Sequence, residues 1–147
     1  GDTVNLAARL EGQSKSYGMN VVLGPTTNAA VKDRLATIDL DFIQVKGKTE
    51  GTYIYGLMGD AELKTSPRFM ELQEKIFNAI KSYQNQRFDE AAEMFKEIRV
   101  LGNEAHRPWN LEITLDVLCD LYEERIAEYK INPPAADWDG VFIATTK

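Results

Sequence analysis

Two polar side chains near the start of the chain have the types and the spacing to bind a phosphate group. Asn5 and Arg9 lie four positions apart in a segment that reads as a helix. In a helix, residues four apart share one face, and here that face lies opposite a broad apolar arc. An amide and a guanidinium aimed at one point suit a phosphate whose charge grows during a reaction. From the residues alone, a solvated pair on an exposed helix face is the more ordinary interpretation.

Two lysines form the second candidate group. Lys46 and Lys48 flank Gly47 in the sequence VKGK. A long ammonium side chain at the end of a strand can reach an anionic ligand, and the glycine between the lysines allows a close turn. Without further information, both lysines read as ordinary residues of a hairpin turn. Asp2, at the start of the first helix, is assigned to helix capping and not to catalysis.

Apolar periodicity and the positions of Gly and Pro predict the elements that would hold these side chains. The first part of the chain is predicted to contain helices over about residues 3–14 and 25–35, a short buried strand over 20–23, and antiparallel strands over 38–46 and 52–58. The second part is predicted to contain helices over about residues 69–84, 88–101 and 110–129, followed by a strand-like VFIAT segment near the end. We expect this last segment to add a strand to the sheet.

Alternation along the first strand of the hairpin predicts which of its side chains are buried. Ile38, Leu40 and Phe42 are expected to point inward. Asp39 and Asp41 alternate with them, so they are expected to share the solvated side of the strand and not to form a metal site. In the second part, Cys119 is expected to fill core space.

Other aromatic and titratable residues of the second part allow a structural interpretation. Trp109, Trp138 and Tyr129 are read as buried anchors in preference to a recognition surface. His106 is read as a surface loop residue, because no Ser or Cys partner lies near it in the sequence.

Composition excludes several classes of function. The formal charge is −6, and residues 1–58 are balanced, so residues 59–147 carry the whole acidic excess. An acidic surface repels nucleic acid, and no basic stripe with interleaved aromatics is present. One Cys and one His cannot build a zinc cluster, and no apolar run reaches the roughly 20 residues of a membrane-spanning helix.

Four segments in order over residues 1–58 resemble the C-terminal half of a class III adenylate or guanylate cyclase catalytic domain. They are GDTVNLAARLE, NVVLG, PTTNAAVKDRL and VKGKTEGTYIYGL. The resemblance implies that Asn5 and Arg9 stabilise the transition state as the 3′-hydroxyl of ATP attacks its α-phosphate, and that Lys46 contacts the triphosphate. The implied products are cyclic AMP and pyrophosphate, with cyclic GMP from a guanylate cyclase as an alternative.

The resemblance also implies parts that this chain lacks. In the family, two metal-binding aspartates lie on strands before this segment, and the active sites form between two subunits. We therefore expect Mg²⁺ or Mn²⁺ and ATP to bind only in a longer enzyme, with no metal held by this chain. The chain is expected to be an inactive fragment that forms a homodimer or domain-swapped oligomer. The longer protein is expected to be cytoplasmic, with any membrane anchor outside this chain.

The predicted fold is α+β. It comprises a partial ferredoxin-like cyclase sheet of about three strands with two helices, followed by about three further helices. The predicted domains are residues 1–60 for the cyclase part, 61–67 for a linker, 68–132 for a helical extension and 133–147 for a tail. The helical hairpin within the extension resembles one tetratricopeptide repeat, which leaves a protein-interaction or dimerisation module as an alternative function. A cyclase homologue that has lost its activity is a third.

Overall fold

The computed structural model describes residues 14–45, 47–104, 107–109 and 115–143. Within these residues the fold is α+β, as predicted, with one four-stranded mixed sheet and six helices. The strands are β1 (Val22–Leu23), β2 (Ala36–Gln44), β3 (Thr52–Gly59) and β4 (Phe142–Ile143). The helices are α1 (Ser14–Tyr17), α2 (Pro25–Val31), α3 (Ala61–Lys64), α4 (Pro67–Gln84), α5 (Phe88–Gly102) and α6 (Asp116–Ile131).

The sheet has the strand order β1-β3-β2-β4. Strand β3 is antiparallel to both β1 and β2, so the predicted hairpin is confirmed. The last strand, β4, runs parallel to β2 and pairs with its end, Ile43 facing Phe142. The expectation that the VFIAT segment returns to the sheet is therefore also confirmed. A parallel neighbour requires a long crossover, which is provided here by helices α3 to α6.

Strand β2 contains a bulge that changes which of its side chains are buried. Asp39 pairs with Tyr55, and Asp41 pairs with the next residue of β3, Ile54. Strand β2 therefore contains one extra residue, Leu40, at this point. Neighbouring residues of a strand face opposite sides of the sheet, so the two aspartates face opposite sides as well. The prediction that they share a solvated side was wrong, because alternation cannot reveal an inserted residue.

Phe42, which was expected to point inward, is only half buried. Its ring stacks on that of Tyr53, with 4.4 Å between the ring centroids.

Helices and sheet share a single hydrophobic cluster. Helix α4 packs on β2, while α5 lies between α4 and α6. The largest fully buried side chains come from β2, β3 and all three long helices: Ile38, Leu40, Ile43, Ile54, Phe69, Leu72, Ile76, Tyr83, Phe95, Ile98, Leu118 and Tyr122. The helical layer is therefore built into the same core as the sheet.

Local signals fix the ends of the helices. Pro67 occupies the first turn of α4, where its missing N–H costs no helical hydrogen bond. The short helix α3 lies within the predicted linker 61–67, and the Asp60 carboxylate caps it by accepting a hydrogen bond from Leu63 N at 3.0 Å. The helix starts predicted near residues 3 and 110 lie outside the described residues.

Aromatic and sulfur-containing side chains of the second part are mostly internal, as expected. Trp138 contacts the rings of Tyr83 and Tyr129 at centroid distances of 5.4 and 5.3 Å. Trp109 is buried. Cys119 is also buried, and desolvation raises the pKa of its thiol to about 12, so it stays protonated and unreactive at neutral pH. The core-filling interpretation is confirmed for Trp109 and Cys119, whereas Trp138 and Tyr129 are partly buried and pack against the core.

Two neighbouring positions on α4 test this packing. We predict that Leu72→Ala lowers the free energy of unfolding by about 2–5 kcal/mol, because it leaves a cavity where the native side chain is fully buried. Met70→Ala, at a position that is 54% exposed, should change it by about 0.5 kcal/mol or less. Urea unfolding followed by circular dichroism measures both. Equal losses from the two variants would contradict the assigned orientation of α4.

Candidate functional site

The three residues predicted to carry chemistry lie outside the described residues. These are Asn5, Arg9 and Lys46. His106, expected in a surface loop, also lies outside them. The assignments of these four residues therefore stay predictions, and the structure describes only the elements next to them.

The loop after β2 has the close turn expected for the VKGK sequence. Lys48 N donates a hydrogen bond to Val45 O at 3.1 Å, and the Gln44 side chain donates to Lys48 O at 3.0 Å. Gly47 has a φ of 88°, a conformation that disfavours residues with a side chain. The predicted structural role of Gly47 is thus confirmed.

A buried cluster around Asp41 is the most strongly constrained polar feature among the described residues. The Asp41 side chain is 1% exposed and its Oδ2 lies 2.7 Å from an Arg125 guanidinium nitrogen. The Tyr17 hydroxyl donates to the same oxygen at 2.6 Å. Oδ1 accepts a hydrogen bond from the Phe42 backbone N–H at 2.8 Å. The Tyr122 hydroxyl lies 2.7 Å from Leu40 O and 3.1 Å from Asp41 Oδ1, so these acceptors share its proton.

The surroundings keep Arg125 charged despite its burial. Burial opposes its positive charge, but attraction by the Asp41 carboxylate outweighs that effect and raises the pKa of Arg125. The guanidinium carbon lies 3.6 Å from the centroid of the Phe142 ring and 5.3 Å from that of Tyr122. Aromatic faces thus replace part of the water that the cation has lost.

The tyrosine hydroxyls of the cluster act as hydrogen-bond donors. Burial raises the pKa of Tyr17, and the neighbouring Asp41 charge raises it further. Burial likewise raises the pKa of Tyr122. Neither phenol ionises near neutral pH, so the cluster holds elements together and does not provide an acid–base catalyst.

The cluster joins three parts of the chain that are distant in sequence. Tyr17 ends α1, directly after the segment predicted to carry Asn5 and Arg9. Asp41 lies on β2, the strand that leads to the loop of Lys46. Arg125 lies on α6, in the predicted helical extension. Sequence analysis missed this cluster, because nothing in the local pattern of β2 links Asp41 to an arginine more than 80 residues later.

The described residues do not fit a magnesium or manganese site. No group of three or more His, Cys, Asp or Glu among them could hold a metal ion. The oxygens of Asp41 are already engaged by Arg125 and by hydroxyl and amide donors. Among the same residues, no helix combines the length and the hydrophobicity needed to cross a bilayer.

Comparison with known proteins gives a partial relationship. The chain is 39% identical over 59 residues to adenylate cyclase 1 of Rhizobium meliloti (strain 1021). The match covers 40% of this chain and 9% of that protein. No protein-family model and no solved structure matches the chain. The similarity supports a relationship with adenylate cyclases over part of the chain.

The Asp41–Arg125 pair can be tested by a double-mutant cycle. We predict that Arg125→Met lowers the free energy of unfolding by about 3–5 kcal/mol, because it leaves the Asp41 carboxylate buried without a counter-charge. The double variant Asp41→Asn with Arg125→Met should lose much less than the sum of the two single variants. Denaturant unfolding of all four proteins gives the coupling energy. Additive losses would show that the two side chains do not interact.

Proposed function

We propose that this chain is part of an adenylate cyclase and supplies the residues that bind and activate the phosphates of ATP. The observation that carries the proposal is the similarity to an adenylate cyclase over 59 residues. The resemblance of residues 1–58 to the C-terminal half of a class III cyclase domain supports the same assignment. In this proposal Asn5 and Arg9 stabilise the pentacovalent phosphorus of the transition state, and Lys46 binds the triphosphate.

The described structure supports the proposal through the elements that flank these residues. The hairpin of β2 and β3 is present, and the turn closed between Val45 and Lys48 follows β2 directly. In this proposal the lysine binds the triphosphate from a turn that follows a hydrogen-bonded strand pair. Rigid support matters because electrostatic stabilisation of a transition state depends on groups that need no reorganisation during the reaction.

In the same proposal, the metal ions and the carboxylates that bind them come from outside the described residues. The described aspartates and glutamates do not form a metal site. Because the resemblance places the metal-binding aspartates of the family on strands before the segment matched here, we propose that the chain by itself is inactive and that the complete site requires a longer protein or a second subunit.

The packing of the helices favours an extension that is integrated with the sheet over an independent interaction module. Helix α4 is covered by β2 on one side and by α5 on another, and α5 is covered in turn by α6. A helical repeat that binds a partner needs a free concave surface between helices. Here the helical hairpin uses its apolar faces within the chain.

A chimera tests the proposed roles. We predict that residues 1–58 of this chain, exchanged for the corresponding segment of the Rhizobium meliloti cyclase, support cyclic AMP formation from ATP. In this chimera Asn5→Ala or Arg9→Ala should lower turnover by about 10²–10³-fold, because each removes a donor aimed at charge that develops in the transition state. Cyclic AMP is measured by chromatography after incubation with Mn²⁺ or Mg²⁺.

Arg34→Ala is the matched control in the same chimera. Arg34 is exposed and donates only to a backbone carbonyl of α2, so its loss should leave turnover within about twofold. A chimera that folds but forms no cyclic AMP would refute the proposed function. Equal effects of Arg9→Ala and Arg34→Ala would refute the proposed role of Arg9. Cyclic AMP formation by the unfused 147-residue chain would contradict its proposed inactivity.

A further inference from the structure

A second polar site lies on the sheet surface between β3 and α4. A pocket of about 250 Å³ is lined there by Asp39, Tyr53, Tyr55, Phe77 and Lys81, together with parts of Asp41 and Ile80. It continues into a groove of about 630 Å³, with which it shares Asp39, Tyr55 and Phe77. The buried cluster around Asp41 does not explain this arrangement, because the bulge in β2 turns the Asp39 side chain away from that cluster.

The walls of the pocket are aromatic rings that are unusually exposed. Phe77 is 47% exposed and Tyr53 is 38% exposed, although both belong to otherwise well-packed elements. Phe77 falls within the apolar period of α4 that otherwise faces the core. Exposed rings on neighbouring elements, around one concavity, are typical of a surface that binds a ligand.

The chemistry of the pocket favours a cation. The Lys81 ammonium lies 5.3 Å from the centroid of the Tyr53 ring and 5.4 Å from that of Phe77, so a positive charge already occupies the space between the rings. Among the described residues, no donor lies within hydrogen-bonding distance of the Asp39 carboxylate. Burial raises the pKa of this carboxyl, and the positive charge of Lys81 lowers it without a direct ion pair between the two side chains.

We propose that this pocket binds a small organic cation that carries a methylated ammonium group, held between the rings of Tyr53 and Phe77 and above the Asp39 carboxylate. A methylated ammonium suits the pocket better than a metal ion, because the walls offer ring faces and only one unpaired carboxylate. Lys81 then acts as an internal substitute for the ligand and leaves the pocket when the ligand binds. The net negative charge of the chain adds a weaker long-range attraction.

Titration of the 147-residue chain with choline tests the proposal, followed by the aromatic proton resonances of the tyrosines and Phe77. We predict saturable shifts of these resonances. The uncharged isostere 3,3-dimethyl-1-butanol should bind about tenfold more weakly or not at all, because it lacks the charge that the rings and Asp39 attract. Equal affinities for the two compounds would show a merely apolar cleft and would overturn the proposal.

Two substitutions identify the groups involved. Lys81→Gln should tighten choline binding about threefold or more, because it removes the competing ammonium. Asp39→Asn should weaken binding about tenfold, and the variant should fold because it removes a charge that burial disfavours. Phe77→Ala, on an exposed position, should also weaken binding while leaving the fold intact.

Lys75→Gln is the matched control for Lys81. Lys75 lies on the same helix but pairs with Glu97, away from the pocket, so its loss should not change choline affinity. The proposal fails if neither the native chain nor Lys81→Gln binds choline. It also fails if Lys81→Gln binds more weakly than the native chain, since the lysine would then be part of the ligand's support and not its substitute.

Discussion

The buried ion pair between Asp41 and Arg125 is the constraint on which the arrangement of the other elements depends. Removing two charges from water costs several kcal/mol for each ion, and close partners must offset that cost. Here Asp41 receives a guanidinium, a tyrosine hydroxyl and a backbone amide. Arg125 lies against the ring of Phe142, and its Nη1 has no hydrogen-bond partner among the described residues. Every one of these partners must be in place at once, so their elements cannot be positioned independently.

This constraint explains why the helical layer and the sheet form one body. Arg125 comes from α6, and the ring that covers it comes from β4, the last strand of the sheet. Pairing of β4 with β2 brings the end of the chain back beside the strand that carries Asp41. The polar cluster and the sheet hydrogen bonds thus both hold β4 beside β2. The hydrophobic cluster shared by helices and sheet adds a third, non-directional contribution to the stability of this arrangement.

Sequence patterns predicted the parts of this fold that depend on local chemistry. The hairpin, the two helices around the turn at 85–87 and the returning terminal strand all follow from periodicity and from Gly or Pro signals. The pattern failed at one inserted residue in β2, because alternation assumes a regular strand. It also could not reveal Arg125 as the partner of Asp41, since a long-range pair leaves no trace in either local segment. Residue type and spacing drew attention to Asn5, Arg9 and Lys46, family resemblance supplied their roles, and all three lie outside the described residues.

The bulge in β2 has two consequences that belong together. A regular strand would place Asp39 and Asp41 on the same side, where two carboxylates would compete for one arginine. The inserted residue separates them, so Asp41 enters the core with a complete set of partners while Asp39 faces the aromatic pocket. Burial raises the pKa of Asp39, and Lys81 offsets this only in part. The same bulge therefore places Asp41 in the buried cluster and turns the Asp39 carboxylate toward the pocket proposed above to bind a cation.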